Sequence, residues 1–149
     1  MTTIESIYER VRNLKSSSIY ELYEMLEIEI YYTPLLITHN RDSMILCTGT
    51  RKGVYIKPNS DQKYIEYLLW HELAHYILHY KPDLKMNYKL SSFREDTERQ
   101  ANLFAVFGMM QHIDLRDRDP IEVAVEIGIP RVVAADVIRT LAENKYALK

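Results

Sequence analysis

Five residues in the middle of the chain, His71-Glu72-Leu73-Ala74-His75, form an H-E-x-x-H pattern. Residues four apart lie on one face of a helix, so both imidazoles can reach one cation. The glutamate is turned by about 100° from His71, because a helix has about 3.6 residues per turn, and it therefore lies beside the metal. A metal held in this way polarises a water molecule, and the glutamate accepts a proton from that water. The pattern predicts metal-assisted hydrolysis with Glu72 as the general base.

A metal site of this kind needs a third protein ligand, and the next predicted helix offers one. Glu98 and Asn102 are four residues apart and share a helical face with Ala101 and Ala105. Small alanine side chains let two helices approach each other closely. Glu98 could then bind the metal, and Asn102 could hydrogen-bond one of the imidazoles from behind.

Two further acidic residues, Glu95 and Asp96, compete with Glu98 for the role of third ligand. Acidic side chains are also favoured in the first turn of a helix, and we prefer that interpretation for both residues. Two imidazole nitrogens and one carboxylate oxygen suit Zn²⁺ with one position left open, so we predict one zinc ion. These ligand types do not distinguish zinc from every other divalent metal.

The H-E-x-x-H pattern lies within residues 61–80, which are apolar nearly all round and therefore predict a buried, central helix. The run Pro-Asn-Ser-Asp at 58–61 closes the sheet and caps the beginning of this helix, and Pro82 ends it. A buried cluster of two histidines and a glutamate is costly unless it is paired or binds a metal. The burial of the helix therefore favours a metal site over two incidental histidines.

The rest of the chain predicts an α+β fold, a small antiparallel three-stranded sheet with helices packed on it. We expect strand 53–57 at an edge of this sheet, where an extended peptide could add as a further strand. Residues 81–92 are polar and predict a loop. Hydrophobic spacing predicts helices at 3–15, 20–26, 61–80, 94–111, 120–127 and 131–146, and strands at 28–32, 43–48 and 53–57.

Length and composition restrict the class of protein. The 149 residues are enough for one domain. The 19 Lys+Arg and 21 Asp+Glu give a net charge of -2, so no basic field attracts nucleic acid or an anionic membrane. The single cysteine, Cys47, fits a reducing compartment. Because we find neither a signal peptide nor an apolar stretch of about 18–20 residues, we expect a soluble cytoplasmic protein without a membrane partner.

We treat residues 1–149 as a single domain, with a catalytic core at 1–112 that includes the N-terminal helices. Residues 113–149 predict a C-terminal helical pair whose order could pass for a helix-turn-helix. This segment holds 6 Lys+Arg against 7 Asp+Glu, so it lacks the basic surface of a DNA-binding module. We expect it to complete the core or to dock a protein substrate, and we expect no direct binding of nucleic acid.

The two motifs together resemble the ImmA/IrrE-type zinc metallopeptidases of phages and mobile elements. The resemblance rests on His-Glu-Leu-Ala-His-Tyr-Ile-Leu-His at 71–79 and on Glu-Arg-Gln-Ala-Asn-Leu-Phe-Ala at 98–105. It implies a gluzincin-like site, with Glu72 as the general base and with the metal ligands His71, His75 and Glu98. It also implies a substrate, since characterised members of the family cut a cognate helix-turn-helix repressor and so derepress genes.

Several features stay open beside this resemblance. Residues 106–111 lack the Met-Pro that often follows in the family, which bears on the shape of the substrate cleft. His79 lies about 12 Å along the helix from His71, too far to share one metal easily, and we interpret it as structural or cleft-lining. The group that stabilises the transition state is not assigned among His39, His112, Tyr55, Tyr76 and Tyr80.

Two other functions compete with proteolysis. The protein could act as a non-proteolytic antirepressor that binds a repressor and holds only a structural metal. It could also be the toxin or a related component of a toxin–antitoxin pair. Fragments of a partner protein would indicate the peptidase, whereas growth arrest on expression alone would indicate a toxin.

Overall fold

The computed structural model describes residues 2–38, 40–80 and 95–146. The loop predicted at 81–92 and the candidate His39 lie outside these residues. The hydrophobic spacing predicted six helices and three strands to within a few residues, but the short helix after the first strand was not predicted. In chain order the elements are α1 Ile4–Arg12, α2 Ile19–Met25, β1 Ile28–Tyr32, α3 Leu35–Thr38, β2 Ser43–Thr48, β3 Arg51–Ile56, α4 Gln62–Ala74, a π-helical turn His75–His79, α5 Glu95–Met110, α6 Pro120–Glu126 and α7 Arg131–Glu143.

The sheet has three strands in the order β1-β3-β2. β2 and β3 form an antiparallel hairpin, whereas β1 and β3 run parallel, with Ile28 opposite Lys52. The α+β class is confirmed, but the expectation of a wholly antiparallel sheet is wrong. The hairpin reverses the chain after β2 and inserts β3 between the other two strands, where it runs in the direction of β1. The expected edge position of strand 53–57 is therefore also wrong, because β3 is central and the edges are β1 and β2.

Helix α4 lies in the middle of one cluster of buried apolar side chains that extends from Ile7 to Leu141. It packs against β2 and β3 and, along its length, against α5. Ala101 and Ala105 are fully buried on α5. At Gly108 a Cβ atom would lie 2.4 Å from the ring of Trp70. Small residues thus let α5 approach α4 closely, which brings together the two helices that carry the motifs.

Gly128, between α6 and α7, provides a test of how the C-terminal helices are joined to α4. Its φ is +111°, and a Cβ atom would lie 2.4 Å from the backbone oxygen of Lys63. Gly128→Ala therefore combines backbone strain with overpacking, and we expect it to lower the free energy of unfolding by about 3 kcal/mol. Urea denaturation followed by circular dichroism measures this loss.

Gly49 supplies the matched control for this substitution. Its φ is also positive, at +57°, but a Cβ atom there would meet nothing within 4 Å. Gly49→Ala should therefore lower the free energy of unfolding only through the strain of a left-handed backbone, by about 1–2 kcal/mol. Equal losses for the two variants would show that the contact with Lys63 contributes nothing.

Candidate metal centre

Helix α4 carries the H-E-x-x-H residues into the core. The carboxylate of Asp61 accepts hydrogen bonds from the backbone N–H groups of Lys63 and Tyr64, at 3.1 and 3.3 Å, so within the predicted capping run 58–61 the N-cap is Asp61. Towards the other end of the helix, His71 and Glu72 are 7% and 0% exposed. The predicted helix at 61–80 does not stay α-helical, because its last turn widens into the π-helical turn.

Two imidazoles and one carboxylate converge at this point. His71 Nε2 lies 3.1 Å from Glu98 Oε2, and His75 Nε2 lies 2.8 Å from Glu98 Oε1. The possible ligand atoms of the three residues all lie within 4.8 Å of one another. Glu95 and Asp96, the competing candidates, are exposed in the first turn of α5 and do not belong to this group. The structure thus brings together the three predicted ligands.

The donor set fits a divalent metal ion. Glu98 Oε1 is buried and accepts no hydrogen bond from any described residue, although His75 Nε2 lies 2.8 Å away. Two nitrogen donors and a carboxylate that face one point are the ligands that zinc and similar transition metals take from proteins. The residues present therefore suit such an ion.

The electrostatics of the ligands agree with this fit. Burial opposes ionisation of Glu98, but the contacts with both imidazoles outweigh it and lower the pKa of its carboxyl to about 2. Burial is also the largest influence on His75, and it lowers the pKa of this imidazole to about 4. At neutral pH Glu98 is therefore a carboxylate and His75 a neutral imidazole, the forms in which both bind metals.

Glu72 lies beside this group and is held by a residue that sequence reasoning missed. Ser43, buried on β2, donates a hydrogen bond from its hydroxyl to Glu72 Oε2 at 2.6 Å. Glu72 Oε1 is buried and has no hydrogen-bond partner within residues 2–38, 40–80 and 95–146. Burial, the largest influence, raises the pKa of Glu72 above its ordinary value. A polar residue at a core-facing position of a strand was the only sequence signal for Ser43.

Asn102 lies beside His71, as expected, and contributes to raising its pKa against the lowering effect of burial. Its side-chain oxygen, however, accepts a hydrogen bond from the hydroxyl of Tyr67 at 2.9 Å. Nδ1 of His71 is buried and makes no hydrogen bond to the described part of the chain. The hydrogen bond expected from Asn102 to an imidazole stays a prediction. Tyr67 is a hydrogen-bond partner of Asn102 that the sequence did not reveal.

A cavity of about 500 Å³ opens onto these residues. Arg41 is the only arginine or lysine among the described residues that line it, and Val133 of α7 brings the C-terminal helices to its wall. Of the candidates for transition-state stabilisation, His112 lines a different cavity, beside Trp70. None of the candidate tyrosines, Tyr55, Tyr76 and Tyr80, is among the described residues that line the cavity beside Glu72. Two other tyrosines, Tyr64 and Tyr67, line it instead.

His79 lies against His75 rather than in the cavity. The Nδ1 atoms of the two imidazoles are 3.0 Å apart, and His79 Nε2 lies 2.8 Å from the side-chain oxygen of Gln100. These contacts fit the structural role considered for His79, which is not among the described residues that line the cavity beside Glu72. Gln100, which lies on α5 beyond Glu98, was not singled out in the sequence.

Comparison with known proteins adds one finding. A family model for peptidases, Peptidase M78, described as an IrrE N-terminal-like domain, matches residues 24–135, about three quarters of the chain. The matched region includes the H-E-x-x-H helix and Glu98. No curated protein and no solved structure gives a significant match. Within the described residues, no helix has the length and apolar character needed to cross a membrane.

Proposed function

The chain belongs to the IrrE N-terminal-like peptidase family, and from this premise we propose that it is a zinc-dependent endopeptidase with Glu72 as its general base. The family supports a metallopeptidase-type function. The observation that carries the proposal is the grouping of His71, His75 and Glu98, together with Glu72, which lines the same cavity as His71 and Glu98. The three grouped residues would hold the metal.

Bound Zn²⁺ would supply Lewis-acid chemistry and lower the pKa of a water molecule. The chain itself supplies the proton acceptor. Because Ser43 holds one oxygen of Glu72 at 2.6 Å, the carboxylate has a defined orientation, and Oε1 is left to accept the proton. The same oxygen can then donate that proton to the leaving amine of the cleaved peptide.

Arg41 fits the role of stabilising negative charge on the carbonyl oxygen of the substrate. The hydroxyls of Tyr64 and Tyr67, which also line the cavity, already donate to Asp42 and Asn102, at 2.5 and 2.9 Å. Arg41 lines the same cavity, and a guanidinium carries five N–H donors. This supports Arg41 over the tyrosines for that role.

A helix-turn-helix repressor is the substrate that we propose. The support is the family resemblance, together with a net charge of -2 that gives the chain no basic field for binding DNA directly. A link to gene regulation would then run through a protein partner. Val133 places the C-terminal helices at the cavity wall, where they could contact that partner.

Incubation with a partner tests the proposal directly. Where a neighbouring gene encodes a repressor-like protein, the purified chain is mixed with that protein, and fragments are identified by mass spectrometry. We expect defined fragments that disappear with the chelator 1,10-phenanthroline and return when Zn²⁺ is added back, because removal of the metal removes the Lewis acid. A stable complex without fragments would favour the non-proteolytic antirepressor, and growth arrest on expression alone would favour a toxin.

A further inference from the structure

The imidazole of His75 has a second contact, made through the nitrogen that does not face Glu98. Its Nδ1 lies 3.0 Å from Nδ1 of His79, and the two ring centroids are 5.1 Å apart. Nε2 of His79 in turn lies 2.8 Å from the side-chain oxygen of Gln100. Gln100 follows Glu98 by two residues on α5. The same helix therefore supplies the predicted ligand Glu98 and the residue that contacts His79.

The chemistry of these atoms determines where the protons lie. The amide oxygen of Gln100 can only accept, so Nε2 of His79 must donate to it. A neutral imidazole has one donor and one acceptor, so Nδ1 of His79 carries a lone pair. That lone pair accepts a hydrogen bond from Nδ1–H of His75. The remaining nitrogen of His75, Nε2, is then without a proton, which is the form that can bind a metal ion together with Glu98.

We propose that His79 and Gln100 are positioning residues that select the tautomer of His75 in which Nε2 is free of a proton and available to a metal ion. The inference rests on the proposed metal site, which it deepens. Metal-binding histidines commonly donate their other N–H group to an acceptor, and this bond sets both tautomer and ring orientation. Here the acceptor is another histidine, whose own tautomer is set by an amide.

The backbone supports this arrangement. His75 and His79 begin and end the π-helical turn, in which the N–H of Tyr80 donates to the oxygen of His75 at 2.9 Å. Such turns are frequent at functional sites. The side chain of Arg10 on α1 donates to the backbone oxygen of Ile77 at 2.7 Å, which ties the turn to the rest of the fold.

The tautomers can be measured on the wild-type full chain by nitrogen-15 NMR with labelled histidine. We expect His79 protonated on Nε2 in the metal-free chain and, with Zn²⁺ added, His79 protonated on Nε2 and His75 protonated on Nδ1. Protonation of His79 on Nδ1 alone in the metal-free chain would overturn the inference. Because the tautomer of His79 can be measured without zinc or a substrate, it decides the inference even if the proposed function fails.

Zinc affinity, measured by competition with a chromophoric chelator, tests the consequence. Gln100→Met removes the acceptor at similar length, and we expect a loss of about 10- to 100-fold in Zn²⁺ affinity. Gln100→Glu keeps an acceptor and should recover the affinity that Gln100→Met loses. His112→Phe removes an exposed histidine at a different cavity and is the control for incidental binding. Wild-type affinity in Gln100→Met would overturn the inference, whereas absence of zinc binding by the wild type would overturn the proposed function.

Discussion

Glu72→Gln should reduce peptide cleavage by about 10²- to 10⁴-fold and leave the metal content near one ion per chain. The amide has the size of the carboxylate but cannot accept a proton from water at neutral pH. Its oxygen can still accept the hydrogen bond that Ser43 donates to Glu72 at 2.6 Å, so the local packing should be unchanged. Cleavage of the identified partner protein and metal analysis of the same preparation measure the two effects separately.

Glu66→Gln is the matched control for this substitution. Glu66 lies on the same helix but lines the cavity beside Trp70 and not the one beside the histidines. The exchange should leave both cleavage and metal content unchanged. If Glu72→Gln still cleaves at the wild-type rate, Glu72 is not the base and the proposed mechanism is wrong.

Glu98→Ala should weaken Zn²⁺ binding by at least about 100-fold, since it removes one of three protein ligands and the only negatively charged one. In the structure Glu98 contacts both imidazoles, at 3.1 and 2.8 Å, so no other described side chain can replace both contacts at once. Competition with a chelator measures the affinity, and circular dichroism checks that the helices are retained.

Glu95→Ala, on the same helix, is the control. Glu95 is exposed and lies 3.6 Å from Arg99 in a surface ion pair, which contributes little to stability. We expect the zinc affinity of the Glu95→Ala variant to match that of the wild type. Unchanged affinity in Glu98→Ala would remove Glu98 from the site, and a loss in Glu95→Ala instead would transfer the role of third ligand to the competing residue.

The sequence predicted well those features that depend on neighbouring residues. The capping of α4 within residues 58–61, the α+β class and the family, which the match over 24–135 confirms, all follow from local spacing or motif. The pairing of strands was predicted less well. Whether a strand lies at the edge or in the middle depends on how the chain returns after a hairpin, so the parallel pairing of β1 and β3 was missed.

By itself the sequence determined that His71 and His75 share a helical face with Glu72 beside them, because that geometry is fixed within one turn of a helix. Only the tertiary structure decided between Glu98 and the competing acidic residues of α5, and it alone added Ser43 beside Glu72. Glu98 lies 27 residues from His71 along the chain, and Ser43 lies 29 residues from Glu72. Their contacts depend on how α5 and β2 pack against α4, and no periodicity in the sequence encodes a distance between separate elements.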